Sequence, residues 1–146
     1  MENIVIYTDG GCRGNPGVGG WGVVILLKKN IKPVYLNGGQ LKTTNNQMEL
    51  MAAIRALAYF DNSTNVSLFT DSKYVKDGIE SWIVNWKMNG WKTSTKKPVK
   101  NKDLWIELDK QIQRHTINWQ WIKGHVGHKR NEQADYLAQK FIEEHT

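Results

Sequence analysis

The stretch IVIYTDGGCRGNPG, residues 4–17, decides the fold of this chain. Its β-branched apolar run predicts a strand over 3–8, and Asp9 follows at once, ahead of a series of glycines. We therefore expect a carboxylate at the mouth of a sheet, where glycines let a ligand approach the backbone closely. Taken alone, Asp9 is equally compatible with the capping of a turn.

The rest of the chain predicts four more strands and four helical segments. The strands fall at 21–27, 34–39, 66–70 and 117–122. The helical segments fall at 47–59, at 73–86 as one or two short helices, at 103–114, and along an apolar stripe at 134–142. We expect the first three strands to form an antiparallel meander, and the fourth, reached through a helix, to lie parallel beside the first.

Length and composition indicate one domain, residues 1–146, with one core. The single cysteine, Cys12, excludes an intramolecular disulfide. No stretch approaches the ~20 apolar residues of a membrane span or resembles the apolar region of a signal peptide. We expect a soluble, cytoplasmic and monomeric protein with no membrane partner.

The net charge of +6 favours a polyanionic partner, and its distribution is more informative than its size. Between Glu80 and Asp103 the chain carries no acidic residue, and three tryptophans, Trp82, Trp86 and Trp91, are interleaved with its lysines. These lysines are Lys87, Lys92, Lys96, Lys97, Lys100 and Lys102. The composition is typical of a surface that follows a phosphate backbone. The alternatives are a helix packed through its tryptophans and a solvated lysine face.

Four of the 14 acidic residues occupy strand or helix ends that this topology brings together. Asp9 and Asp71 end their strands alike, as YTD (7–9) and FTD (69–71), while Glu49 and Asp135 lie near the starts of helices. A divalent cation would relieve the repulsion between converging carboxylates, and an all-oxygen site favours magnesium or manganese. Singly, each could be a cap, with Glu49 completing a capping box begun by Asn46. Zinc is disfavoured because no cysteine or histidine spacing suits it.

Two further features have weaker signals. The glycines of 10–22 lack the Lys-Ser/Thr and the following helix of a phosphate loop, so they predict a tight hairpin or a backbone ledge for a nucleic-acid strand. His125 lies in a glycine-flanked segment that suits a mobile acid–base group, although an exposed loop histidine is the simpler interpretation. His128 is more typical of a surface or capping position.

Six motifs in order carry a family resemblance. They are YTDGGCRGNPG (7–17), TTNNQMEL (43–50), TDSKYV (70–75), WKMNGWK (86–92), KPVKNKDLW (97–105) and KGHVGH (123–128). In these motifs the chain resembles bacterial-type ribonuclease H, type 1, from its first strand to its last helix.

The resemblance implies an α/β fold with a five-stranded mixed sheet in the order 3-2-1-4-5, flanked by helices on both faces. It implies an endonuclease that hydrolyses the RNA strand of RNA–DNA hybrids and leaves 5′-phosphate and 3′-hydroxyl ends. It also implies two Mg²⁺ ions, with Mn²⁺ as a substitute, held by Asp9, Glu49, Asp71 and Asp135. His125 matches a histidine that assists proton transfer or product release.

The same resemblance implies the substrate contacts. Near the RNA minor groove and its 2′-hydroxyls it implies Cys12, Asn15, Asn45 and Gln47, and at a DNA phosphate Lys42, Thr44 and Asn101. It implies a DNA channel at Trp82 and Trp86, and a basic protrusion at Lys87, Lys92, Lys96, Lys97 and Lys100. Two departures concern affinity: Lys42 replaces the usual arginine, and KMNG (87–90) is less basic than the usual protrusion.

Two other functions remain open from the sequence. One is a DNA-cutting nuclease of the integrase or resolvase kind on the same scaffold, although such chains usually carry additional domains. The other is a non-catalytic module that binds hybrids, which the presence of all four acids and His125 argues against.

Overall fold

The computed structural model describes residues 3–28, 31–123 and 128–146. The strands are β1 (Ile4–Arg13), β2 (Gly17–Leu26), β3 (Val34–Thr43), β4 (Asn65–Thr70) and β5 (Thr116–Trp121). The helices are α1 (Asn45–Ala58), α2 (Lys73–Asp77), α3 (Ile83–Met88), α4 (Lys102–Arg114) and α5 (Lys129–Glu144). A π-helical turn, Gly78–Trp82, joins α2 to α3.

The sheet has the order β3-β2-β1-β4-β5, which confirms the predicted fold class. β1, β2 and β3 form an antiparallel meander, and β4 and β5 pair in parallel on the other side of β1. None of the described helices combines the length and apolar character needed to cross a membrane.

β1 is longer than predicted, and the expectation that this strand ends before Asp9 is wrong. The antiparallel ladder with β2 continues to Arg13, and Asp9 lies within it opposite Gly22. The glycines remain extended because β2 satisfies their backbone groups on that side. The parallel ladder with β4, in contrast, ends at the Tyr7–Phe69 pair. Asp9 therefore still lies just beyond the carboxyl end of the parallel pairing.

Helices cover both faces of the sheet, as predicted. A Cβ atom on Gly10 would lie 2.5 Å from the backbone of Met48 and Glu49 in α1, whereas a Cβ on Gly11 would approach Gln139 in α5. Because successive strand residues point to opposite faces, α1 and α5 pack on opposite sides. Gly10 allows the backbone of α1 to approach β1 closely.

The main core lies between the sheet and α1, closed by α4. Ile6, Val23 and Leu50 are fully buried in it, and α4 contributes Trp105 and Leu108. The predicted helical segment at 73–86 forms two short helices, and the π-helical turn brings Gly78 directly against the Trp105 ring. The core thereby fixes both the start of α1 and the α2–α3 segment, the two elements that border the site.

Candidate active site

Three of the four predicted acidic residues converge at the carboxyl end of β4. One carboxylate oxygen from each of Asp9, Glu49 and Asp71 lies within 4.8 Å of the other two. Asp9 is only 2% exposed and Glu49 7%. Asp135, the fourth acid, lines the same cavity of about 510 Å³. The middle of β1, the end of β4 and two helices on opposite faces thus bring four carboxyl groups to one cavity.

The start of α1 excludes the capping-box interpretation of Glu49. Thr44 is the N-cap, and its side-chain oxygen accepts a hydrogen bond from the Gln47 backbone N–H at 3.2 Å. Glu49 is therefore in the second turn, and Asn46 is not the cap that a box with Glu49 requires. The close approach of α1 at Gly10 places the Glu49 carboxylate beside Asp9.

The cluster is electrostatically unfavourable when the acids are alone. Burial is the main cause that raises the pKa of Asp9 from 3.8 to about 8, followed by the Asp71 and Asp135 carboxylates and a hydrogen bond with Asp135. Burial, and then Asp9 and Asp71, also raise the pKa of Glu49 well above its ordinary value. A proton or a cation must therefore compensate these groups at neutral pH.

The donor set fits a hard divalent cation. The grouped ligand atoms among the described residues are all carboxylate oxygens, which such cations prefer. Glu49 Oε1 is buried and has no hydrogen-bond partner in the described part of the chain. A buried, unpartnered carboxylate oxygen is costly unless something positively charged binds it. The site thus meets the requirements of a divalent metal centre.

Of the four residues predicted to face RNA, two line this cavity and a third, Asn15, contacts one of these two. Cys12 and Asn45 line it together with the acids. Asn15 Oδ1 accepts a hydrogen bond from the Asn45 backbone N–H at 3.1 Å, and the Cys12 thiol contacts the Thr43 carbonyl at 3.3 Å. These contacts hold the β1–β2 turn, with its cis Asn15–Pro16 bond, against the start of α1.

The residues predicted to hold a DNA phosphate lie along the same end of α1. Asn101 has a left-handed backbone (φ 59°) immediately before α4, and its Oδ1 accepts from Gln47 Nε2 at 3.1 Å. The Thr44 side chain already caps α1, and Lys42 is exposed on β3. The Gln47–Asn101 bond brings a residue of the predicted RNA-facing set into direct contact with one of the DNA-facing set.

Trp82 and Trp86 pack on the core while each remains partly exposed. Their ring centroids are 5.6 Å apart, and Trp86 lies 5.4 Å from the buried Trp105. The alternative interpretation, that these tryptophans pack a helix onto the core, is therefore correct for one side of each ring. Their exposed sides are compatible with the predicted DNA channel.

Of the lysines predicted to form the basic protrusion, one forms an ion pair in the described part of the chain. Lys87 forms an ion pair with Asp109 of α4 at 3.3 Å, an acid that the local charge count did not reveal because it lies outside the segment. The other lysines of the predicted protrusion are exposed. They are Lys92, Lys96, Lys97 and Lys100.

Comparison with known proteins decides the family. The model of the RNase H family matches residues 1–143. A protein named ribonuclease H from Alcanivorax borkumensis is 58% identical over 144 residues, which cover 99% of this chain and 94% of that one. The chain belongs to the ribonuclease H family. A ribonuclease H from Marinobacter nauticus is 57% identical over 97% of this chain and 95% of its own.

Solved structures of the ribonuclease H family share the fold. LC9-RNase H1, described as a type 1 RNase H with the type 2 active-site motif, aligns with a TM-score of 0.84 at 30% identity and covers 100% of this chain and 75% of its own. LC11-RNase H1, solved in complex with an RNA/DNA hybrid, aligns with a TM-score of 0.68 at 25% identity, covering 97% and 98%.

One predicted functional residue of this family, His125, lies outside the described residues, so its role stays a prediction. Conversely, the sequence predicted no role for Tyr74. This residue lines the acid cavity, and its ring lies 5.4 Å from that of Trp105. The sequence does mark Tyr74 as a candidate, because Tyr74 and Trp105 both fall within family motifs. Only the fold shows that the two motifs meet.

Proposed function

We propose that this chain is a metal-dependent endonuclease that hydrolyses the RNA strand of RNA–DNA hybrids and leaves 5′-phosphate and 3′-hydroxyl ends. The observation that carries the proposal is the buried cluster of Asp9, Glu49 and Asp71, with oxygens within 4.8 Å of one another. Whole-length similarity to proteins named ribonuclease H supports the same activity. We also propose that residues 1–146 form a single domain that acts as a cytoplasmic monomer.

The proposed cofactor is a pair of Mg²⁺ ions, with Mn²⁺ as a substitute, held by Asp9, Glu49, Asp71 and Asp135. When bound, the ions would activate the attacking water and stabilise the leaving 3′-oxygen. The unpartnered Oε1 of Glu49 supports its role as a ligand. Asp9 interacts with both Asp71 and Asp135, which supports its role as a ligand at the centre of the acid cluster. Asp9 must release its proton to act as a ligand, so metal binding should strengthen as the pH rises toward its pKa.

The proposed substrate contacts divide between the two strands. Cys12, Asn15, Asn45 and Gln47 would read the RNA strand through its 2′-hydroxyls, which distinguish it from DNA. Lys42, Thr44 and Asn101 would hold a DNA phosphate, with Trp82 and Trp86 against the DNA sugars. The partial exposure of both tryptophan rings supports this assignment.

We expect His125→Ala to lower kcat on an RNA–DNA hybrid by about 100-fold, because a general acid–base group contributes roughly that much. His128→Ala is the matched control, since His128 is an exposed residue at the start of α5 and makes no side-chain cap. Steady-state kinetics at saturating Mg²⁺ would measure both. An unchanged kcat for His125→Ala would make that histidine a bystander.

The lysine protrusion should act through salt-dependent binding. In a variant with Lys92, Lys96 and Lys97 all changed to Ala, we expect the magnitude of the slope of log K against log salt to fall by up to about 2.7, because each phosphate contact contributes roughly 0.7–0.9. Lys32→Ala, an exposed lysine next to β3, is the control and should leave the slope unchanged. Titration of a fluorescent hybrid at several salt concentrations measures it. An unaltered slope in the triple variant would show that these lysines do not contact phosphates.

A substrate panel tests the proposal against its alternatives. The protein is incubated with an RNA–DNA hybrid, duplex DNA and duplex RNA of one sequence, with Mg²⁺ or with a chelator. We expect cleavage of the hybrid alone, and only with Mg²⁺. Cleavage of duplex DNA would favour an integrase-like or resolvase-like nuclease, and hybrid binding without cleavage would favour a binding module.

A further inference from the structure

A directional chain of hydrogen bonds connects Gln47 and Asn101 to Tyr74. Thr43 Oγ1 donates to Gln47 Oε1 at 2.7 Å, and Gln47 Nε2 donates to Asn101 Oδ1 at 3.1 Å. Asn101 Nδ2 then donates to the Tyr74 hydroxyl oxygen at 3.1 Å. Trp105 Nε1 donates to the same oxygen at 2.9 Å. The Tyr74 oxygen therefore ends the chain as an acceptor.

One step of this chain follows from chemistry alone, and the others follow from the orientation of the Gln47 amide. The indole N–H of Trp105 can only donate, so the Tyr74 oxygen must accept there. While Gln47 Oε1 accepts from Thr43, rotation of the Asn101 amide alone by 180° would bring its NH₂ group against that of Gln47 and remove the bond between them. The Gln47 amide thus selects the orientation of the Asn101 amide, and the bond to the Tyr74 hydroxyl holds the Asn101 side chain in place.

Tyr74 is well suited to anchor this arrangement. Its ring packs 5.4 Å from that of Trp105, which is fully buried, and 5.7 Å from that of Trp82. It also follows Asp71 by three residues and lines the acid cavity. One side chain therefore touches the tryptophan cluster, the start of α4 and the edge of the cavity.

We propose that Tyr74 is a positioning residue for the hybrid: its hydroxyl holds Asn101 and Gln47 in one orientation, so that the contacts to both strands form together. The inference rests on the proposed function, in which Gln47 faces RNA and Asn101 faces a DNA phosphate. Asn101 Nδ2 carries two hydrogens and gives one to Tyr74, so the other remains for a phosphate oxygen. Loss of the hydroxyl would let the Asn101 amide rotate away from that geometry.

Tyr74→Phe tests this inference because it removes only the hydroxyl. We expect the Kd for a labelled hybrid, measured in an Asp9→Asn background so that no cleavage is needed, to rise about fivefold, the value of one net hydrogen bond. In the active protein KM should rise by the same factor while kcat stays within about twofold, because the acids are untouched. Tyr35→Phe, on the partly exposed Tyr35 of β3, is the matched control.

A double variant separates positioning from loss of stability. If Tyr74 acts through Asn101, Tyr74→Phe should add nothing to the effect of Asn101→Ala on Kd. Three results would each overturn the inference. The Kd could be unchanged in Tyr74→Phe, the effects of Tyr74→Phe and Asn101→Ala on Kd could multiply in the double variant, or kcat could fall at constant KM. If the wild-type protein still cleaves the hybrid with normal Mg²⁺ dependence, any of these results leaves the proposed function intact.

Discussion

Asp9→Asn is expected to lower the rate of hybrid cleavage by about a thousandfold or more while leaving hybrid affinity nearly unchanged. The carboxylate of Asp9 is the member of the cluster that interacts with both Asp71 and Asp135, and an amide is a much poorer ligand for a hard cation. Affinity should persist because the change removes negative charge near the phosphates. Single-turnover cleavage and fluorescence anisotropy measure the two quantities. Normal cleavage by the folded variant would refute the assignment of Asp9.

The same variant should be more stable than the wild type when metal is absent. The pKa of Asp9 is raised to about 8 in the folded protein, so folding favours the protonated form and the free energy of unfolding falls as the pH rises from about 4 to about 8. Asn does not ionise and avoids this loss. In a chelator near pH 8 we expect the Tm of Asp9→Asn to be higher by at least roughly 5 °C, on the order of 2 kcal/mol or more, with the difference vanishing near pH 4.

A Tm that is lower than the wild-type value across this pH range would contradict the electrostatic account. The measurement needs no substrate and therefore tests the cluster independently of catalysis.

Gly10→Ala is expected to destabilise the protein by about 2–3 kcal/mol and to impair cleavage strongly, although Gly10 carries no functional group. The added Cβ would lie 2.5 Å from the backbone of both Met48 and Glu49, so α1 must move away from β1. That displacement separates the Glu49 carboxylate from Asp9 and Asp71. Denaturant unfolding and hybrid cleavage measure the two effects.

The neighbouring Gly11→Ala provides a control for stability. A Cβ there would meet only the end of the Gln139 side chain, at 3.1 Å, and that side chain can move. We expect its unfolding free energy to change by less than about 1 kcal/mol. Equal destabilisation by the two changes would show that the approach of α1 at Gly10 is not the cause.

Much of the fold and the acid cluster could be predicted from the sequence because the signals are local. Asp9 and Asp71 follow apolar runs directly, and the periodicity of 134–142 indicates a helix whatever surrounds it. The convergence of Asp9, Glu49 and Asp71 then follows from parallel strands and the helix between them. From their positions alone, the four acids could have been either helix or turn caps or metal ligands. The family motifs favoured metal ligands.

The features that the sequence did not predict depend on contacts between residues that are distant in the sequence. The local sequence around Gly10 and Gly11 predicts a turn, but pairing with β2 keeps both residues in β1, and the close approach of α1 requires a glycine at position 10. The pairing of Lys87 with Asp109 and the bonds of Tyr74 to Asn101 and Trp105 join separate segments. Such contacts leave no periodic or local pattern that a sequence can reveal.

The measurement that tests the central claim most directly is cleavage of an RNA–DNA hybrid labelled separately on each strand. With Mg²⁺, we expect internal cuts in the RNA strand only, giving 5′-phosphate and 3′-hydroxyl ends, and an intact DNA strand. A chelator should abolish the reaction. Cuts in the DNA strand, 3′-phosphate ends, or cleavage that persists in the chelator would contradict the account.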